Sequence, residues 1–300
     1  MDKAKLVVAV PVYNGARTLL ASLVNIASQD YANFRAIIVE NCSTDETYEI
    51  ARAFCEKDPR FEILRNEQHL SGIDNFMNTV RLASERGEYF CLRACDDLST
   101  LDYLSKLVGA LDENPSKLLA VAASKRFTGE QVQTIRPAPE ALSFLDRVMA
   151  GAPPKKAYFP SDWVYGVFRS GEGARIFIER WPALGTPWCV ASYMVYEFVM
   201  RGLVVYVEGP FFHFYYNSNS KELYAAKTLK DQFIQRCRYT LGCYRVLDKL
   251  PPLPFATRLR ILRMLWRDSG WRTGYRLRKA VKTYLTNMFS RLGRAKPKGT

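Results

Sequence analysis

The chain has 300 residues, 48% of them hydrophobic and 13% aromatic, enough to bury the core of one large α/β domain with an appendage. Its seven cysteines are scattered without a CxxC pair, so neither a disulfide framework nor a zinc site is indicated, and with two histidines histidine-rich metal chemistry is excluded and any metal must rely on carboxylates. The formal charge of +13 is uneven: residues 251–300 hold thirteen Lys/Arg and one acid, Asp268, which puts +12 in that segment and leaves +1 for everything before it.

The opening MDKAKLVVAVPVYNG runs straight into a strand-like segment without a leader pattern, and no run of about 18 apolar residues follows, so the chain reads as cytoplasmic and not membrane-spanning. Apolar runs predict strands at 6–10, 35–39, 61–64, 88–92 and 118–123, and helix-like stretches near 16–28, 45–57, 73–86 and 101–112 lie between them. Continuous Val/Ile/Leu strands separated by helices argue a parallel sheet covered on both faces, a Rossmann-like α/β architecture. Residues 126–160, with RPAPE and GAPPKKAYFP, predict a loop-rich boundary. Residues 161–222 mix short strands with a helix near 188–201 and end in FFHFYY, and 223–300 read as helices broken by PPLP at 251–254. The expected units are therefore 1–125, 126–222 and 223–300.

In such a sheet ligands bind beyond the carboxyl ends of the strands. The first strand ends in Pro11-Val12-Tyr13-Asn14-Gly15, a turn into a helix whose N-terminus can face phosphates. The second ends in Glu40, whose carboxylate can accept from a base N–H or a ribose hydroxyl, followed by Ser43, Thr44, Asp45 and Thr47, which also suit plain helix capping. The fourth runs into Arg93-Ala94-Cys95-Asp96-Asp97. Adjacent carboxylates repel unless a cation lies beside them, and Mg²⁺ or Mn²⁺ bridging diphosphate oxygens would relieve that and stabilise a departing nucleotide. An exposed Asp-Asp turn is the bland alternative.

In order, PVYNG, ENCSTDET, SGIDNF and GEYFCLRACDD resemble the motifs of family 2 glycosyltransferases across residues 6–112. The resemblance implies a GT-A fold with a nucleotide-sugar-binding half, an acceptor-binding half and a C-terminal helical basic tail. It also implies inverting transfer with a divalent metal. Pro11, Tyr13, Glu40 and Asp45 would line the nucleoside, Asp96 and Asp97 the metal-diphosphate site, and Gly72 and Asn75 would flank the donor. Glu40 stands where the family usually has Asp, and Ala94 replaces the first acid of the fuller Asp-x-Asp-Asp form. Ser192 stands where the helix opening the acceptor half normally carries the catalytic Asp, and an unassisted serine is a poor base. Asp162 and Glu197 are the candidate replacements. Asn217 falls at the His of an Arg-x-His motif, with His213 four residues earlier. A non-catalytic nucleotide-sugar binder of the same fold is the alternative that Ala94 and Ser192 raise.

The tail has two amphipathic patterns. Leu259, Leu262, Leu265 and Trp266 oppose Arg260, Arg263 and Arg267, and Leu277, Val281, Tyr284, Leu285, Met288 and Leu292 oppose Arg276, Lys279 and Lys282. Both suit a helix at an anionic membrane interface, and the first equally suits a helix docked on the protein's own body. The expected partners are a nucleotide-sugar, a glycan or lipid-linked acceptor and an anionic membrane surface, at the inner face of the cytoplasmic membrane. Nucleic acid is not expected, since the tail lacks a nucleic-acid-binding motif, and the absence of GxGxxG after the first strand excludes a nicotinamide enzyme.

Overall fold

The computed structural model describes residues 3–215 and 224–275. The predicted alternation is present as β1 (Ala4–Val12), α1 (Leu19–Ala27), β2 (Phe34–Glu40), α2 (Thr47–Cys55), β3 (Phe61–Arg65), α3 (Gly72–Arg86) and β4 (Gly87–Leu92). β1 pairs in parallel with β2 and β4, and β2 with β3. Val7 and Ala9 of β1 join one core with Val80 and Ala83 of α3, while Leu6, Val8 and Val10 join another with Leu19, Leu23 and Ile26 of α1. A strand buried on both faces must be apolar at every position, which is why its sequence does not alternate. Ser71 caps α3 by accepting from the Asp74 amide.

The chain continues through β5 (Leu98–Ser99), α4 (Tyr103–Glu113), β6 (Leu119–Thr128), β7 (Gln131–Ile135), α5 (Pro139–Leu142) and α6 (Phe144–Met149). A 3-10 turn at Ser161–Tyr165 then leads into β8 (Val167–Arg169), α7 (Glu172–Arg180), α8 (Val190–Met200) and β9 (Val204–Tyr215). The described strands form one sheet in the order β3-β2-β1-β4-β8-β6-β9-β5, with β7 beside β6. β8 lies antiparallel between β4 and β6, so a single sheet spans residues 1–125 and 126–222, the two units expected from the sequence. Residues 126–160 are more regular than their composition suggests: β6 extends to Thr128 and folds back at Gly129, whose φ is +57°, into β7. β7 is exposed along most of its length and so lacks the apolar alternation that announces a strand.

α9 (Leu229–Tyr244) and α10 (Phe255–Arg272) flank the PPLP break. Ile261, Met264 and Leu265 of α10 are buried in the same core as Tyr196 of α8, so this helix is fastened to the body. Of the apolar face expected there, Leu265 is buried, Leu259 and Leu262 are half-buried and Trp266 is exposed. Tyr216, Asn217 and nearly all of the second amphipathic pattern lie outside the described residues. Among the described residues, no helix is long and apolar enough to cross a membrane.

Candidate active site

The loops after β1 and β2 are stapled together. Asn14 donates its amide to Ser43 Oγ at 2.9 Å and accepts from the Thr44 amide at 2.9 Å, while the Gly15 amide donates to Thr47 Oγ1 at 2.8 Å. Asp45 closes the staple, accepting from the Ala16 amide at 3.1 Å on one oxygen and from the Thr47 amide at 3.1 Å on the other. Burial opposes ionisation of Asp45, but the Thr47 and Ala16 hydrogen bonds outweigh it and hold the carboxyl below its ordinary range. Asp45 thus shapes the donor loops through the backbone. A Cβ on Gly15 would meet Val12 Cγ2 at 2.7 Å and Cys95 Sγ at 3.0 Å, so glycine lets this loop lie against the turn that carries the acids. Pro11 is buried beneath the loop, and Tyr13 is exposed with its ring 4.4 Å from that of His69. Among the described residues, the non-glycine positions with positive φ are Asn14, Cys42 and Cys189; the first two lie in these loops, where strained backbone is characteristic of ligand sites.

Glu40 is fully buried at the end of β2. One carboxylate oxygen accepts from the Ser43 amide. The other lies 2.9 Å from Arg65 Nε as an ion pair without hydrogen-bond alignment, so this buried oxygen still lacks a donor. Beside it runs an amide ladder that the motifs did not reveal. Asn66 donates to Asn41 Oδ1 at 2.8 Å and to Asn75 Oδ1 at 2.9 Å, and Asn41 exchanges hydrogen bonds with the Leu70 backbone. The ladder ties the ends of β2 and β3 to α3, and asparagine immediately beyond both strands, at 41 and 66, was its visible signal.

Past β4 the Arg93 amide still donates to Ala9 O before the chain turns, which sets Asp96 and Asp97 just beyond the sheet edge. Asp97 is 1% exposed and accepts from the Tyr215 amide at 3.1 Å; Asp96 is half-buried. Burial, then the Asp96 charge, pushes Asp97 well above the ordinary carboxylate range, against the pull of the Tyr215 amide and Arg93, and burial raises Asp96 as well. Two crowded carboxylates that favour their protons are what a divalent cation would relieve, and their hard oxygen donors suit Mg²⁺ or Mn²⁺. No group of three or more His, Cys, Asp or Glu able to hold a metal occurs among the described residues. Asp96 and Asp97 are the carboxylates that would hold such an ion.

Arg93 was not singled out by the motifs. It is fully buried, with its guanidinium 5.4 Å from the Tyr103 ring centre and 5.2 Å from that of Phe212. Nη2 donates to Ser99 Oγ at 3.1 Å, whereas Nε and Nη1 have no hydrogen-bond partner. The only hint in the sequence was a cation closing the apolar run FCL.

On the acceptor side the two proposed bases part company. Asp162 is buried and gripped by the Arg126 fork at 3.0 and 2.8 Å, near enough to the acid pair for its charge to raise Asp97. Glu197 is not brought to the site. It is 1% exposed and pairs with Lys249 at 2.6 Å, Arg201 at 3.3 Å and Arg180 at 3.5 Å. It also lies toward the end of α8 that meets the start of β6, where Lys117 donates to Gly202 O, at the opposite edge of the sheet from the acids. Ser192 is buried, donates to Cys189 O at 2.9 Å and accepts from Tyr239 Oη at 3.0 Å, so α9 plugs the place where the family's base normally stands. His213 is half-buried with an unpartnered Nε2, and burial, Lys125 and Arg93 all depress its basicity.

Residues 7–162 match the model of Glycosyl transferase family 2. The glycosyltransferase GlyA of Streptococcus pneumoniae is 37% identical over 103 residues, which cover 34% of this chain and 14% of GlyA. The chain spans well under half the length of the curated relatives it matches. The crystal structure of Staphylococcus aureus TarS residues 1–349 in complex with UDP-GlcNAc superposes with a TM-score of 0.61 at 17% identity, over 89% of this chain and 72% of that one. The mannosyltransferase PcManGT of Pyrobaculum calidifontis, in complex with GDP-Man and Mn²⁺, gives a TM-score of 0.51 at 17% identity, over 99% of this chain and 82% of that one.

Proposed function

The chain belongs to glycosyltransferase family 2, and from that premise we propose that it moves a sugar from a nucleotide-sugar donor, a UDP-sugar, to a lipid-linked or nascent surface glycan with inversion. The observation that carries this reading is the Asp96-Asp97 pair beyond β4, Asp97 buried and Asp96 half-buried, next to the stapled loops of β1 and β2. Pro11 and Tyr13 wall the nucleoside, and the oxygen of Glu40 that lacks a donor accepts from the base or ribose. Asp45 keeps the two loops in register. Asp96 and Asp97 hold Mn²⁺ or Mg²⁺, which when bound neutralises the diphosphate and stabilises the leaving nucleotide. In the likeness to TarS and PcManGT, nucleotide-sugar and, for PcManGT, Mn²⁺ belong to those proteins and supply the analogy.

Asp162 is the carboxylate available to take the acceptor hydroxyl's proton, and it does so once an acceptor draws Arg126 away. The basic C-terminal region keeps the enzyme peripheral at the inner face of the cytoplasmic membrane, where such acceptors lie. The Ser192–Tyr239 contact favours one rival, a family member that binds nucleotide-sugar without transferring it.

The test is calorimetric binding of UDP and UDP-sugars with Mn²⁺ and with chelator, using wild type and Asp97→Asn. Metal-dependent binding that Asp97→Asn removes while the fold survives is the expected result, and affinity indifferent to metal would refute the metal-diphosphate role. Binding without turnover on any glycan acceptor would select the rival.

A further inference from the structure

The folded part of the C-terminal region carries its own interaction surface. Residues 224–275 hold eleven Lys/Arg against three Asp. All three acids are already engaged: Asp268 accepts from Arg272 and Tyr196, Asp248 from Arg258 at 2.7 Å, and Asp231 from Thr228 at the start of α9. The inner side of α10 is fixed in the core by Ile261, Met264 and Leu265. What faces outward is therefore surplus to the fold.

That outer side is a groove of about 1020 Å³ between α9 and α10, floored by Cys237, Leu241, Leu262 and Trp266. Arg263 and Arg267, one helical turn apart on α10, line it as well and are exposed. Arg236 stacks on the Trp266 ring at 3.8 Å and donates to Trp266 O, which holds the indole at the groove. α10 also carries two large apolar side chains in solvent outside the groove lining, Phe255 at 80% exposure and Trp271 at 55%, the latter with its ring 5.9 Å from that of Tyr158. An exposed apolar patch of this kind marks a contact site, and a ring of unneutralised arginines states the sign of its partner.

We propose that the outer face of α9 and α10 is the protein's docking surface for an anionic lipid bilayer, with Trp266, Trp271 and Phe255 entering the interface and Arg263 and Arg267 meeting headgroup phosphates. This deepens the membrane part of the proposed function by moving the anchorage onto the packed helices, and it does not depend on sugar transfer. Aromatic and aliphatic side chains with arginines beside them match the polarity gradient of a headgroup region. A nucleic acid offers phosphates to the arginines but nothing for the leucine floor.

The experiment uses the full chain with vesicles of phosphatidylcholine alone or with added phosphatidylglycerol, read by co-sedimentation. Quenching of tryptophan fluorescence by acyl-brominated lipid is read in parallel. Wild type is expected to bind the anionic vesicles and be quenched. Each arginine is worth about fivefold in affinity near such a surface, so Arg263→Glu with Arg267→Glu should weaken binding at least tenfold. Trp266→Phe with Trp271→Phe should abolish the quenching. UDP affinity and the far-UV circular dichroism should not move in any of these variants, because none of the substituted side chains reaches the sheet edge and the tryptophan variant keeps a ring against Arg236 and Tyr158. Wild-type vesicle affinity in the double glutamate variant would overturn the proposal and assign attachment to the residues beyond Tyr275. So would unquenched tryptophans, dimerisation without lipid binding, or arginine-dependent capture of an RNA oligonucleotide in preference to vesicles. Loss of UDP binding with vesicle binding intact would sink the transferase reading alone.

Discussion

Glu197 decides between a structural and a catalytic reading of the acceptor half, and Glu197→Gln separates them because it keeps the side chain's shape and removes its charge. In the wild type one carboxylate is shared by three cations of unequal exposure. The Arg180 side chain is 9% exposed, Arg201 19% and Lys249 41%. Lys249 and Arg201 can turn to water, so each loses about 0–1 kcal/mol. Arg180 cannot, since it is held by two bonds to Tyr193 O, and removing the partner of a buried charge costs about 3–5 kcal/mol. Arg180 keeps those carbonyl bonds, so the lower end applies, about 3 kcal/mol. In a chain of 300 residues that lowers Tm by roughly 5 °C. The assay is thermal and urea unfolding alongside turnover per folded molecule. The expected outcome is a destabilised protein with ordinary turnover below its new Tm. A Tm within about a degree of wild type, with turnover lost, would refute the argument and return Glu197 to catalysis.

Glu40→Ala should weaken UDP binding by about 1–3 kcal/mol, the range for a lost hydrogen bond to a charged group, and should also lower stability by freeing Arg65 and the Ser43 amide; calorimetry and urea melts read the two effects separately. Asp45→Asn tests the loop staple through pH. The folded carboxyl titrates below its unfolded value, so its stabilisation is complete above the ordinary Asp range and lost as pH falls through the depressed value. The variant's Tm deficit should therefore be present at neutral pH and vanish in acid, and a deficit independent of pH would contradict this. Truncation before Phe255 is expected to give unfolded protein on circular dichroism, because it strips Ile261, Met264 and Leu265 from the core; a stable truncated chain that still binds UDP would show α10 to be an appendage.

The donor half was legible in the sequence because its signals are local. LVVAV, and RAIIV and EYFCL past the exposed Arg35 and Glu88, are buried on both faces and run apolar without interruption, and the residues that follow deliver Pro11, Glu40 and the acid pair to one edge. What failed to show is what depends on distant partners. Glu197 looks like an exposed helix acid until Arg180 and Lys249 arrive from α7 and from the segment after α9. Ser192 is an unassisted hydroxyl until Tyr239 crosses from α9. In TRLRILRMLWRD the apolar stripe was correct in kind, but helical periodicity cannot say whether a stripe meets the body or a membrane. The answer for this helix is divided, with Ile261 and Leu265 inward and Trp266 outward.

Position 94 gains its meaning from its neighbour. Replacing the family's first acid by Ala94 removes one negative charge from the turn, and Arg93 inserts a positive one that water does not reach. A guanidinium in such a place is tolerable only near compensating charge, and the one it acts on is Asp97, whose proton it helps to displace. Arg93 and Ala94 act in the same direction, toward a site less negative than the fuller acidic motif would create. A site of that kind holds a bare divalent cation weakly and gains affinity when the donor diphosphate brings its own charge, so metal and nucleotide are expected to bind as a unit. Weak binding of free metal, measured by titration without nucleotide, would thus follow from Arg93 and Ala94 together and would be no sign of degeneracy. The residue that bears on degeneracy is Ser192, on the acceptor side, where Asp162 is the carboxylate left near the acids.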